Sequence, residues 1–264
     1  MHAYINGLGL LGPGLDGWEK AKHFLTGSDA YIANAMEKIT INILQPNERR
    51  RTTALIKLAL KVSREAVGDK FDNASDYISV FSASDGDHAV IDNICMAIST
   101  PEHQVSPTNF HNSVHNAPGG YWAIAAGATL SSTSIAACDE SFSAGLIESV
   151  SIVDVEKMPV LFVAYDFPPT LPISALREVK NAFAVAMILR PEKTTDAIAS
   201  VSLTLNEKCE FSQCADSKLE ALRLDNPAAR SMPLLALLAA NNKGEVCLPA
   251  VQNRCLQVQV TPCR

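Results

Sequence analysis

The stretch TSIAACDESFSAGLIES, residues 133–149, poses the question on which the reading of this chain turns. Its small residues, Thr133 to Ala137, suit a closely packed strand that leads straight into Cys138. Beyond the thiol, Phe142, Gly145, Leu146 and Val150 fall on one side of a helix. A thiol at a strand-to-helix turn is a place where acyl-transfer chemistry keeps its nucleophile, because backbone N–H groups there point at a developing oxyanion. Asp139 and Glu140 work against that use. Negative charge beside a thiol raises its pKa, and a reactive cysteine needs it lowered.

Outward from this turn the chain reads as layered α/β. Val160–Tyr165 and Ala182–Leu189 are continuous apolar runs, closed by Asp166-Phe-Pro-Pro169 and Arg190-Pro191. Strands that are apolar at every position belong to a sheet covered on both faces. Upstream, a strand is expected over Ala3–Asn6, broken by the glycines of Gly7–Gly14, and another over Tyr77–Phe81. Helices are expected over Gly17–Leu25, Arg49–Val67, Ala89–Ile98 and Gly119–Gly127, the last small and apolar on nearly every side and therefore buried. After Pro191 come one strand (Ala199–Leu205), a polar stretch, a helix near Leu234–Ala240, and a hairpin of Val246–Leu248 with Leu256–Val260. No repeat or low-complexity segment interrupts this order.

Composition narrows the function. With 264 residues, 47% hydrophobic and 19% charged, the chain has the make-up of a globular protein with a large core. A net charge of −6 argues against nucleic acid as the main partner. The one dense basic spot, Arg49-Arg50-Arg51 after Glu48, reads either as a solvated helix start or as a docking point for an anion or a carrier protein. The N-terminus lacks the features of a signal peptide, and no stretch reaches the ~20 apolar residues of a membrane span. Seven cysteines without a C-x-x-C pair do not suggest a disulfide framework or a zinc site, so a reducing cytoplasm is the default.

Two motifs have ordinary explanations. Gly7-Leu-Gly-Leu-Leu-Gly12 matches the dinucleotide fingerprint, but Pro13-Gly14 stand where a helix must open on the phosphates, so a plain glycine turn is expected and no cofactor. His111 and His115 have a spacing that grips zinc from one helix face, yet the metalloprotease glutamate is replaced by Asn112 and no third ligand is evident. No metal is expected. All six histidines precede Cys138.

Taken in order, Ile5–Gly14, Ser106-Pro107 through His115-Asn116-Ala-Pro-Gly-Gly120 with Gly127, the strand into Cys138, and Ala182–Leu189 resemble the N-terminal half of a β-ketoacyl synthase. The resemblance covers residues 1–191. It implies the thiolase-like fold, layered αβαβα, with a complete N-terminal half and with residues 192–264 as a strongly reduced C-terminal portion packed on the same domain. It places the family's nucleophile on Cys138, or on Asp139 if the preceding loop is ungapped. The family's catalytic histidines and supporting lysine belong to a C-terminal half, and no histidine follows His115 here, so Cys138 reads as vestigial.

The resemblance is nearest to the chain-length-factor-like subunit of aryl polyene, type II polyketide, biosynthesis. It implies a non-catalytic subunit that completes a heterodimer with an active synthase, meets the acyl carrier protein, and shapes the acyl channel. The loop carrying Asn109, Phe110, His111 and Ser113 would line that channel, although His111 suits a core or interface histidine as well. Thr108, Asn112, Asn116, Ile135, Ala136 and Ala137 would lie at the subunit interface. The alternatives are a stand-alone cysteine thioesterase or acyltransferase, pairing Cys138 with His111 or His115, and a purely structural scaffold for the synthase.

Overall fold

A computed structural model describes residues 1–263. Its frame is one nine-stranded sheet, counted among the described residues. The N-terminal part contributes β1 (His2–Gly12), the short β2 (Leu15–Asp16), β3 (Ile78–Ser82), β4 (Ser132–Ile135), β5 (Val160–Asp166) and β6 (Phe183–Arg190). The C-terminal part adds β7 (Ala199–Asn206), β8 (Gly244–Ala250) and β9 (Arg254–Pro262). The order across the sheet is β4-β3-β5-β6-β1-β7-β9-β8, with β2 beside β1. Strands β3, β4 and β5 are mutually parallel, and every other pairing is antiparallel.

The continuous apolar runs divide their residues between two dry faces. Val160, Phe162 and Ala164 of β5, with Phe183, Val185, Met187 and Leu189 of β6, face one core, whereas Leu161, Val163, Tyr165, Ala184, Ala186 and Ile188 face the other. The first face is covered by α1 (Trp18–Leu25), α7 (Ser141–Glu156), α8 (Ser217–Asp225) and α9 (Met232–Ala239). The second is covered by α3 (Ala54–Val67) and α6 (Ala117–Ala126). Helices α2 (Pro46–Arg51), α4 (His88–Ser99) and α5 (Pro107–Asn112) lie further out, with little of their surface buried. This is the thiolase-like α/β arrangement, represented within the described residues by one sheet between two helical layers.

Several local expectations are corrected. The glycines do not break the first strand, because β1 runs through them to Gly12. Gly7 and Gly9 are needed for packing: a Cβ on either would collide with the carbonyl oxygens of Ala66 and Val62, so α3 rests its backbone on the strand. Glu65 of the same helix accepts hydrogen bonds from Leu10 N (3.0 Å) and Trp18 N (2.5 Å), joining α3 to β1 and to the start of α1. The expected helix over Arg49–Val67 is two, divided at Thr52, with the Thr53 hydroxyl capping α3 through Ile56 N. The strand before Cys138 ends at Ile135, short of Ala137.

Helix α6 buries only its first turns, and Ile124 stands 56% exposed. Small apolar residues all round left its buried side undefined. The polar stretch after β7 contains α8, opened by the Asp216 carboxylate, which accepts from Lys218 N and Leu219 N. One cysteine pair is bridged, Cys209 with Cys255, at a Cα separation of 6.1 Å. Strand register brings them together, since Cys255 lies opposite Asn206 and Cys209 follows three residues on. A count of cysteines carries no such information. No helix among the described residues is long and apolar enough to cross a membrane.

The close approach of α3 yields a test. Gly9→Ala should lower the unfolding free energy by roughly 1–3 kcal/mol, because the helix backbone must move off the strand. Gly86→Ala, where an added Cβ meets nothing, should lower it by under about 0.5 kcal/mol. Equal urea midpoints for the two variants would contradict this packing.

Candidate functional site

Because β3, β4 and β5 run parallel, their carboxyl ends open on the same side of the sheet, where open α/β sheets hold their chemistry. Strand β4 delivers Cys138 there. The residue has φ of 48°, the left-handed region that a non-glycine side chain enters only when its surroundings hold it. The Ser141 hydroxyl provides the brace: it donates to Cys138 O (2.7 Å) and accepts from Ala137 N (2.9 Å). Ser82 at the end of β3 donates its hydroxyl to Ser141 O at 2.6 Å. Gly145, one turn into α7, lets the helix sit down on the sheet, since a Cβ there would come within 2.6 Å of the Phe162 ring and 2.7 Å of Ser82 Cβ. The thiol is exposed and makes no hydrogen bond to a histidine among the described residues.

The acid next to it is committed elsewhere. Arg177 Nη1 meets Asp139 Oδ1 at 2.7 Å, Arg177 Nε meets Asp85 Oδ2 at 3.0 Å, and Arg230 Nη2 stands 3.7 Å from Asp139 Oδ2. His88 Nε2 reaches the same Asp85 oxygen at 3.7 Å. Burial works against the Asp85 charge, but the Arg177 guanidinium and the Ser84 hydroxyl outweigh it and hold that carboxyl below its usual range. The charge of Asp139 is therefore matched by two guanidinium groups.

A second carboxylate lies beneath this network. Asp166, at the end of β5, accepts from Ser84 N (2.7 Å) and Ser84 Oγ (2.6 Å) on one oxygen and from Ala228 N (3.0 Å) on the other. Asn226 donates to Asp166 O (3.3 Å) and to Asn181 O (2.8 Å). Residues of the C-terminal portion thus close the floor of a site that begins in the N-terminal strands. Desolvation pushes the Asp166 carboxyl up to about 7, only partly offset by the Ser84 donors.

The loop expected to line a channel forms α5 and its exit. Phe110 is 72% exposed, Thr108 and Asn109 are half-buried, and Ser113 donates back to Phe110 O at 2.8 Å. Asn109 lines a cavity of about 190 Å³ together with Gly86, Asp87, His88 and Phe167. Asn112 is buried and donates to Arg51 O at 2.8 Å, tying α5 to α2 rather than facing outward. His111 stacks edge-on against Tyr121 with ring centres 5.9 Å apart. Helix α5 ends at Asn112, so His111 and His115 do not share a helix face. Ile135 packs partly on the main core, Ala136 is exposed, Ala137 is half-buried, and Asn116 is exposed at the start of α6.

Asp85, His88, Asp166, Arg177 and Arg230 escaped the sequence reading. Asp166 stood out only as the end of a strand, and the two arginines belong to no motif. They meet Asp139 through the fold.

Cys138 thus stands at a positive-φ strand-to-helix turn, at the carboxyl ends of three parallel strands in a mixed sheet of thiolase-like fold. The family model described as beta-ketoacyl synthase, N-terminal domain, matches residues 18–247, and the chain belongs to that family. No curated protein sequence matches it. Among solved structures, a ketosynthase (ApeO) in complex with its chain length factor (ApeC) from Xenorhabdus doucetiae is similar at a TM-score of 0.74 and 21% identity, over 98% of this chain and 99% of that one. The ishigamide ketosynthase/chain length factor matches at 0.73 and 13%, over 99% of each chain. A β-ketoacyl synthase from Burkholderia phymatum STM815 matches at 0.63 and 10%, over 92% of this chain and 71% of that one.

Asp166 makes the joint at the site floor pH-dependent. Its folded pKa, about 7, lies above the ordinary 3.8, so the stability it contributes is fully present below pH 4 and is lost as pH rises through 7. The unfolding free energy of the native chain minus that of Asp166→Asn should therefore fall steadily between pH 4 and 8, read by urea titration. A difference that stays constant over that window would refute the assignment.

Proposed function

We propose that the chain is a non-catalytic, chain-length-factor-like partner of an active β-ketoacyl synthase. In this reading it completes a heterodimer and shapes the channel for a growing acyl or polyene chain, in aryl polyene or related type II polyketide synthesis in the cytoplasm. The observation that carries it is the state of the nucleophile turn. Cys138 holds a left-handed backbone at the strand-to-helix turn, while its thiol has no histidine partner among the described residues and the next side chain is spent on Arg177 and Arg230. Decarboxylative condensation needs groups that hold a carboxylate and polarise a carbonyl beside the nucleophile. Likeness in fold to chains of two ketosynthase/chain length factor complexes, over nearly the whole of each chain, supports the partner role.

The surface is consistent with a partner. Met96 (63%), Phe110 (72%), Val114 (52%) and Ile124 (56%) are exposed on α4, α5, α6 and the turn between the last two, and β4 leaves one edge of the sheet unpaired. Exposed large apolar residues and a bare strand edge are both features that another chain can cover. The exposed Arg50 and Arg51 of α2 suit the docking of an anionic partner such as a carrier protein.

Two outcomes follow. Incubated alone with acyl- and malonyl-loaded carrier protein, the chain should give no ketoacyl product, and Cys138→Ala in the co-purified complex should keep most of the complex's activity. Condensation by the isolated chain, or loss of activity in the complex on removing the thiol, would overturn the proposal.

Phe110 tests the channel role separately. Its ring could flank a conjugated chain by stacking, worth about 0.5–1.5 kcal/mol beyond buried area. In the complex, Phe110→Ala should lengthen the product and Phe110→Trp shorten it by one or more two-carbon units, read by mass spectrometry. Parental products from both, with normal assembly, would leave the scaffold role in place of channel shaping.

A further inference from the structure

A cleft of about 660 Å³ lies between the segment after α1, the first turns of α3 and the loop that enters β6. Its volume is that of a small-molecule site. The walls are apolar: Met36 and Ile39 pack against the second core, Phe167 joins them from the end of β5, and Ala182 is buried at the foot of β6. Three lysines line the same cleft from three separate segments, Lys38 before α2, Lys57 on α3 and Lys180 ahead of β6. None of their ammonium groups is in an ion pair among the described residues, whereas Lys20, Lys22, Lys70 and Lys157 each are. One acid, Glu37, lines the cleft as well, which leaves cations in the majority within a chain of net charge −6.

Apolar walls with unspent cations suit one class of ligand. The geometry points to a binding site for a small amphipathic anion, an acidic head held by Lys38, Lys57 and Lys180 with its apolar chain or ring against Met36, Ile39 and Phe167. Lysine presents a point charge and reads charge rather than planar shape, so the head can be a carboxylate or a phosphate ester. Ala54, Phe167 and Pro168 also border the smaller cavity that reaches Asn109 and His88, so a bound chain would lie beside the strand-end site without occupying the turn at Cys138.

Isothermal titration of the full chain, alone or co-purified with a synthase, tests it with decanoate, decyl phosphate, decanol and inorganic phosphate as probes. Decanoate or decyl phosphate should bind at one site per chain, at least about tenfold more tightly than decanol or inorganic phosphate, and more weakly as salt is raised. Whichever anion binds more tightly identifies the head. The double variant Lys57→Glu with Lys180→Glu should lose at least about tenfold in affinity at an unchanged melting temperature. If charge reversal disturbs folding, Lys57→Gln with Lys180→Gln should show the same direction of loss. Decanol binding as tightly as decanoate, a neutral pair that keeps full affinity, or no binding by any probe would overturn the site.

Discussion

The contact of α3 with β1 is the constraint on which the rest of the molecule leans. Two glycines let the helix lie backbone to backbone on the strand, and Glu65 then spends both carboxylate oxygens on Leu10 N and Trp18 N. Burial opposes that carboxylate's charge and raises its pKa, while the two backbone donors work the other way. Strand β1 is the hinge of the sheet, paired with β6 on one side and β7 on the other. Its position therefore sets both the parallel strands that build the site and the C-terminal strands that extend the sheet.

At the strand ends, charge balance takes over from packing. Two carboxylates, Asp85 and Asp139, are paired with two guanidinium groups, and Asp166 lies beneath them on Ser84 and Ala228. Arg177 draws a loop from between β5 and β6 onto the turn after Cys138, and Asp166 draws in the turn at Ala228. The C-terminal portion is thus part of the site's floor. Ion pairs at a partly exposed mouth contribute little to stability individually. Their consequence here is chemical, since the side chain beside the thiol is engaged before any substrate arrives.

The outer surface follows a different rule from the core. Both faces of the sheet are dry over β3, β5 and β6, yet α4, α5 and α6 leave large apolar side chains in water. Nothing in their local sequence requires this exposure. An amphipathic helix on a monomer turns such residues inward. Here the inward positions are taken by Val90 of α4 and by Tyr121 and Trp122 of α6, so the remaining apolar residues have only outside to face.

The sequence by itself determined the class of the protein. Continuous apolar strands at Val160–Tyr165 and Ala182–Leu189 require a sheet buried on both faces, and the small-residue stretch before Cys138, with Phe142, Gly145, Leu146 and Val150 on one side beyond it, reads as a strand leading into a helix. These are local patterns whose spacing survives into the fold, and the strand into Cys138 and Ala182–Leu189 are among those that carried the family resemblance. The tertiary structure alone decided what surrounds the thiol. Asp139 is an acid in the sequence and half of an ion pair in the fold, because Arg177 and Arg230 reach it from loops 38 and 91 residues away. The glycine run reads as a turn until α3 is laid across it, and Cys209 meets Cys255 only through strand register. Periodicity reports which side of an element is dry. Which distant charge or backbone lies across from it is decided by chain crossings that no local pattern encodes.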